Sequence, residues 1–501
     1  MPATTSSVWN QNQPTLQASA LTTDVKCDVC IIGGGIAGLT TAYLLAGEGK
    51  KVVLLDAKLG VAEGETAFTT AHLAWVLDDR FARLASIRGD DVARAAAESH
   101  RAAVALIEKI TTEERIACDF RRVDGYLFPG SDGPESVNRE IEALKRLGIP
   151  FEQVAAPSVA GGAGPCLRFA EQGQFHPHKY LAAVTGAISA RGGILHTDTR
   201  VVRIEGGESC TVRTERGNAV TANSVVVATN APFDAGLLLH TKLAAYMTYA
   251  VALEIPRGTV PAGLYWDTED PYHYVRTHPE THETDFLIVG GEDHKTGQAN
   301  DQSDRWARLI SWTRQRVPAA GAVRHHWSGQ VFETPDGLGL IGAAPWGRNV
   351  YVITGDSGMG MTHGTLGARL VANLIRGEAD PLAAVYDPSR WMPLALKTFL
   401  SENLNLASQY ADWLTGGDVK SVEEIPPGQG GIVRRGLAKL AVYRATDGTV
   451  CERSAACPHL SAVVRWNPGE QTWDCPAHGS RFGCEGNVIH GPAVEGLKPA
   501  D

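Results

Sequence analysis

Apolar and polar positions follow two rhythms along the chain, and the changes between them divide it into parts. Residues 29–32 form a short apolar run, Leu39, Tyr43 and Leu44 share one face of a helical repeat over 36–47, and 51–55 are apolar again. That is the signature of a strand, a helix and a second strand. Residues 81–118 and 135–147 repeat with helical period and are rich in Ala and charge. Residues 192–204 alternate as strands do, whereas Ser224-Val-Val-Val-Ala-Thr229 is an unbroken run suited to a strand buried on both faces. Aromatic and β-branched residues crowd 240–300, predicting further strands. Helix is predicted at 301–316, a buried strand at 350–354, and helices at 361–376 and 394–412. Residues 425–431 concentrate Pro and Gly and read as a linker. Short strands and Gly/Pro turns follow, as in a small all-β module.

Length and charge narrow the classes. A chain of 501 residues exceeds one core and predicts two or three domains. The net charge of −10 argues against a nucleic-acid partner, which needs clustered Lys and Arg. No apolar run reaches the roughly 18 residues of a membrane span. Residues 1–24 are polar, lack a basic leader and read as an N-terminal arm, so a cytoplasmic location is expected. The nine cysteines are scattered, which suits a reducing compartment rather than a disulfide framework. Cys27 and Cys30 form a CxxC on a predicted strand, where positions three apart point to opposite faces, so they read as packing thiols.

Two motifs carry redox chemistry. Near the C-terminus, Cys457 and His459 flank one proline, and Cys475 and His478 follow beyond residues 460–474. Two such Cys/His pairs can hold an asymmetric [2Fe–2S] cluster, thiolates on one iron and imidazoles on the other. Zinc is the alternative for a Cys2His2 set. At the other end, Gly33, Gly35 and Gly38 follow an apolar strand and open a helix, and the acidic Asp56 closes the next strand. That context defines a dinucleotide-binding turn. Gly33 permits the turn, Gly35 lets a pyrophosphate approach the backbone, Gly38 lets helix and strand pack, and Asp56 accepts from the ribose.

Four stretches make residues 25–390 similar to the FAD-dependent D-amino-acid oxidase and glycine oxidase superfamily. They are the fingerprint, the run from Ser224 to Asn230, the segment from Trp327 through Asp336 and Gly337, and the glycine-rich segment from Thr354 to Gly364. The resemblance implies FAD as cofactor and places Gly358, Gly360, Met361 and Thr362 beside the flavin, where aligned N–H groups offset the charge of the reduced ring. It also brings Thr69, Thr70 and His72 to the flavin. His72 is equally readable as a structural histidine or a catalytic one, and Phe68 stands where many relatives with this layout carry Arg. Tyr274, Arg276 and His294 are candidates for a catalytic site over the flavin; the plainer reading makes this aromatic stretch core.

The C-terminal residues resemble the Rieske family: the two ligand loops, then Ser480 and Phe482, then Gly491-Pro492-Ala493. The resemblance assigns Cys457, His459, Cys475 and His478 to the cluster. Ala462 and Ala477 stand where many Rieske proteins carry a disulfide, and Phe482 lacks the hydroxyl that high-potential members aim at the cluster. Fewer hydrogen bonds to sulfur imply a lower potential.

The expected architecture is an arm at 1–24, an oxidoreductase at 25–420 and a Rieske domain at 421–501. The oxidoreductase is a doubly wound α/β FAD-binding domain interleaved with a β-rich substrate domain at about 90–185 and 240–325. The expected function is dehydrogenation of a small substrate, an amine or amino acid by resemblance. Electrons would pass from flavin to the cluster and on to an external acceptor or carrier protein. Two rivals are a reductase or relay feeding a partner oxygenase, and a flavin-binding module with little catalysis. A second glycine-rich fingerprint for a nicotinamide cofactor is missing from the sequence, which weighs against the reductase.

Overall fold

The structure is a computed structural model that describes residues 5–10, 16–131, 133–161, 164–234 and 239–500. The expected arm lies partly outside these residues. Its strand-like pieces tie down at Ser6 against His326 and at Leu16 against Val61.

Val25–Ile32 is the hub of an eight-stranded sheet. It pairs in parallel with Ala219–Asn230 on one side and Val52–Leu55 on the other, and Val350–Thr354 and Ile194–His196 extend the parallel order outward. All four residues of Val52–Leu55 are buried, which is why that stretch is unbroken apolar sequence. The helices Ile36–Gly47, Pro177–Ala190 and Gly360–Arg376 supply much of the apolar cover, with Leu39, Leu181 and Leu370 buried in one cluster with Ile31.

A nine-stranded, mainly antiparallel sheet forms the second layer system. Its centre is Ala244–Pro256, Thr284–Lys295 and His273–Pro279, flanked by Val323–Glu333 and, through Gly263–Trp266, by Arg121–Leu127 and Cys166–Gln174. Strand alternation splits its residues cleanly. Tyr249, Val251 and Val289 pack under the helix Gln302–Arg316 with Trp306 and Leu309. Tyr246, Thr248 and Ala250 face the other way, into a cavity shared with the first sheet.

The helical stretch expected over 81–118 is two helices, Phe81–Arg88 and Asp90–Glu113, with Gly89 between them at φ +85°. The helix expected over 394–412 is Leu396–Gln409 with a 3-10 turn at each end.

The C-terminal part holds a three-stranded sheet, Gln429–Arg435, Ala438–Arg444 and Val450–Ser454, and a four-stranded one running from Arg465–Asn467 to Val488–His490. Trp473, Phe482, Val464 and Ile432 share its core. The linker expected at 425–431 is corrected here. Ile425 is 1% exposed against Val433 and Val442, and Gln429 already begins the first strand. Gly and Pro mark turns by composition, but here they sit inside the module's packing. Among the described residues, no helix is long and apolar enough to cross a membrane.

Candidate active site and cluster pocket

One cavity of about 650 Å³ runs between the two large sheets and is closed on a third side by the C-terminal module. At its first end lies the glycine turn. Gly33 has φ +106°, and a Cβ on Gly38 would stand 1.9 Å from the Gly33 carbonyl oxygen, so the helix packs against the strand through bare backbone. Gly38 thus packs behind the cavity, while Gly33 and Gly35 line it. Asp56 accepts from Gly34 N at 2.5 Å and from Lys58 N at 2.7 Å, which pins the carboxylate at the cavity wall.

The middle of the cavity is lined by Thr69, Thr70, His72, Gly358, Gly360 and Met361. Thr70 Oγ1 lies 3.0 Å from His72 Nδ1, and His72 Nε2 lies 3.2 Å from the Val275 carbonyl. Burial, with Arg276 nearby, pushes the His72 imidazole down to about 3, so it is neutral at physiological pH. Its ring meets Tyr274 edge-on at 5.4 Å. Thr362 does not reach the cavity; its hydroxyl is buried and donates to the Met359 carbonyl.

Two expected site residues lie elsewhere. Arg276 is fully buried, and its guanidinium donates to the carbonyl of Ala71 at 2.5 Å and to that of Phe175 at 3.4 Å. His294 lies on the helix-covered face of its strand, where Nε2 meets the Tyr249 hydroxyl at 2.8 Å and the two rings stack. The grouping of Tyr274, Arg276 and His294 over one cavity is therefore corrected: Tyr274 lines it, and the other two do not. The neighbour of His294, Asp293, is the residue that faces in.

Sequence reasoning missed the carboxylates of the far end. Asp78, Asp293 and Glu333 come from three separate segments. Burial raises them to about 7, about 6 and about 8 respectively, and nearby acids add to the effect, Asp79 and Asp293 on both Asp78 and Glu333, and Glu292 on Asp293. A Cβ on Gly358 would stand 2.3 Å from Asp78 Oδ2, so this acidic end adjoins the glycine-rich loop directly.

The cavity fits a dinucleotide. Its first end offers a glycine cradle, with no side chain capping the helix at Gly35, and an anchored acid. The glycine-rich loop then leads into a second helix, whose N-cap Met359 also provides no side-chain cap.

Cys457, His459, Cys475 and His478 converge as two pairs. The two thiols contact each other, and the two imidazoles meet edge-on with centroids 5.1 Å apart. Cys457, Cys475 and His478 are buried, and His459 Nδ1 and His478 Nε2 are buried without a hydrogen-bond partner. Among the described residues, no three or more such side chains converge as one ion would require. Two ligands per iron is the arrangement a [2Fe–2S] cluster uses, and orphaned imidazole nitrogens fit that ligand role. The side chain of Ser480 hydrogen-bonds Cys457. All nine cysteines are free.

The module is docked through its ligand loops. Gln330 lines the cavity, and its Nε2 donates to the carbonyl of Gly479, next to His478, at 2.8 Å. The Gln330 backbone N–H donates to Glu65 Oε2 at 2.6 Å, and the other Glu65 oxygen lies 3.4 Å from His490 Nε2. Lys58 Nζ donates to the Ile489 carbonyl, and residues 489–494 form cavity wall. The His240 ring lies 4.6 Å from His459 and 5.5 Å from His478. Tyr410 and Trp413 donate to the carbonyls of Leu460 and Ser461 at 2.9 Å.

This combination of fold and pockets is that of a flavoprotein carrying an iron–sulfur module. The chain belongs to the FAD dependent oxidoreductase family, whose family model matches residues 28–374, and a Rieske [2Fe-2S] domain follows at 416–500. FAD and a [2Fe–2S] cluster are its cofactors. It is similar along 98% of its length to YhfW of Bacillus subtilis (strain 168), named for a Rieske 2Fe-2S iron-sulfur protein, at 30% identity over 97% of that protein. Over 72% of its length it is 25% identical to gamma-glutamylputrescine oxidoreductase of Escherichia coli (strain K12), covering 86% of it. In fold it is similar to glycine oxidase from Geobacillus kaustophilus, with TM-score 0.61 and 18% identity over 73% of this chain and 99% of that one.

Proposed function

We propose that the protein is a dehydrogenase that oxidises a small amine or amino acid and delivers the electrons, through its own Rieske domain, to an external acceptor. When bound, the flavin accepts an electron pair from a substrate C–H bond and the cluster exchanges single electrons. The observation that carries this reading is Gln330, which lines the flavin cavity and is hydrogen-bonded to the cluster's second ligand loop. Relatives named for gamma-glutamylputrescine and D-amino acid oxidation support the substrate class.

In this reading the chain's own groups divide the work. Gly33, Gly35 and Asp56 hold the dinucleotide, with Gly38 seating the helix behind them. Thr69, Thr70, Gly358, Gly360 and Met361 border the reacting ring, and Thr362 steadies that loop from behind. Neutral His72 and Tyr274 orient the substrate. Cys457, His459, Cys475 and His478 hold the cluster. Free thiols throughout suit a cytoplasmic setting.

The test is turnover with an artificial one-electron acceptor, compared with oxygen. Intact enzyme favours the acceptor, and His459→Ala, which removes the cluster, cuts that turnover by about tenfold or more while substrate still bleaches the flavin. Equal turnover by the cluster-free variant contradicts the relay.

A further inference from the structure

Residues 489–494 of the Rieske module line the cavity at the end marked by Asp56, beside Lys58, Arg200 and Ala231. They are fastened there to the oxidoreductase part at several points. The Lys58 amine donates to the Ile489 carbonyl at 2.8 Å, while the Lys58 backbone N–H donates to Asp56 at 2.7 Å. One residue thus ties down both the acid of the dinucleotide turn and the tail of the module. The His490 imidazole lies 3.4 Å from Glu65, and Val494 packs against the buried cluster that contains Ile32 and Leu55. A Cβ on Gly491 would stand 3.5 Å from the Ala231 carbonyl oxygen and 3.7 Å from the Ala231 Cβ, so the two segments run in van der Waals contact.

The same tail is anchored to the cluster pocket. His490 pairs with Arg481 in the module's own sheet. The Ala493 N–H donates to Ser480 Oγ at 3.0 Å, which leaves the hydroxyl proton for the hydrogen bond between Ser480 and Cys457. Ile489, Pro492, Ala493 and Val494 are apolar and offer a purine ring a surface rather than a charge. Pockets between domains bury most of their ligand, and a ligand enclosed in this way leaves when a wall moves.

We infer that residues 489–494 of the Rieske module are part of the FAD site, as the outer wall of its adenosine half. The cofactor is then held between the two parts of the chain, loads before the Rieske module docks and leaves when that module lifts. By linkage, bound FAD also holds the module down.

A cross-link tests this in the holoenzyme. Ala231→Cys combined with Gly491→Cys sets the two Cβ atoms 3.7 Å apart, inside the disulfide range of about 3.5–4.5 Å. The oxidised pair is expected to release FAD about tenfold or more slowly than the same protein after reduction of the bond, read as flavin absorbance retained through gel filtration. Wild type taken through the same treatments shows no such difference. A bond that does not form, or one that leaves FAD release unchanged, overturns the inference. Hydrogen exchange needs no substitution: it compares the wild-type chain with FAD and after FAD removal, the cluster retained in both. Amides between Val488 and Val494 are expected to exchange about tenfold more slowly with FAD bound, and those of Ala438–Arg444 at the same rate in both forms. Equal exchange between Val488 and Val494 in the two forms overturns the inference as well.

Discussion

Phe482 is fully buried in the core of the Rieske module, where it offers no hydroxyl, and Ser480 supplies a hydrogen bond to Cys457. Donors to sulfur stabilise the reduced cluster, so Ser480→Ala lowers the midpoint potential and Phe482→Tyr raises it if the hydroxyl reaches a cysteine. A redox titration measures both, and the wild-type midpoint falls below the top of the Rieske range, which runs to roughly +300 mV. A second residue-scale prediction concerns Asp336. Arg390 forks onto it with bonds of 2.9 and 2.7 Å, and Arg88 also reaches it. Despite burial, these charges hold its carboxyl down at about 2. A depressed carboxyl contributes stability that is full above the unfolded value of about 3.9 and is lost as pH falls towards the folded one. Asp336→Asn leaves buried guanidinium groups unpaired and costs about 3–5 kcal/mol in denaturant unfolding. The residues legible in the sequence were those with fixed spacing: the glycines, Asp56 and the Cys/His pairs. Asp78, Asp293 and Glu333 were not, because only the fold brings such distant carboxylates to one cavity.

At the scale of elements, apolar period did most of the work. The buried parallel strands and the helices Glu135–Leu147, Gln302–Arg316 and Gly360–Arg376 all follow from it. What it did not reveal is which face of a half-buried strand meets the cavity. His294 and Asp293 differ by one position, and the helix Gln302–Arg316 covers the histidine's side. Arg276 shares a strand face with Tyr274, yet carbonyls at Ala71 and Phe175 capture it first. The first strand's turn and its helix pack through bare backbone at Gly38. Gly38→Ala places a methyl 1.9 Å from the Gly33 carbonyl oxygen, which forces the helix off the sheet. The purified variant is expected to lose most of its flavin, seen as a drop in the visible-to-ultraviolet absorbance ratio; full flavin content would show that the turn tolerates the shift.

For the whole molecule, the decisive feature is that the Rieske module is not an appendage on a loose tether. The segment expected to act as a linker is buried within it, and both ligand loops are gripped by the oxidoreductase part and the stretch that follows it. The Gln330 side chain bridges the cavity and the second loop. Gln330→Leu keeps the bulk, removes the donor to Gly479 and is expected to slow electron arrival at the cluster by about tenfold, with the initial bleaching of the flavin unchanged. The central claim, that substrate electrons cross from flavin to cluster inside one chain, is tested most directly by anaerobic rapid mixing of the holoenzyme with an amine or amino acid that bleaches its flavin. Flavin absorbance and the electron paramagnetic resonance of the reduced cluster are followed together. The account predicts that the cluster signal grows within the first turnover, as the flavin bleaches. A flavin that bleaches fully while the cluster stays oxidised would contradict it.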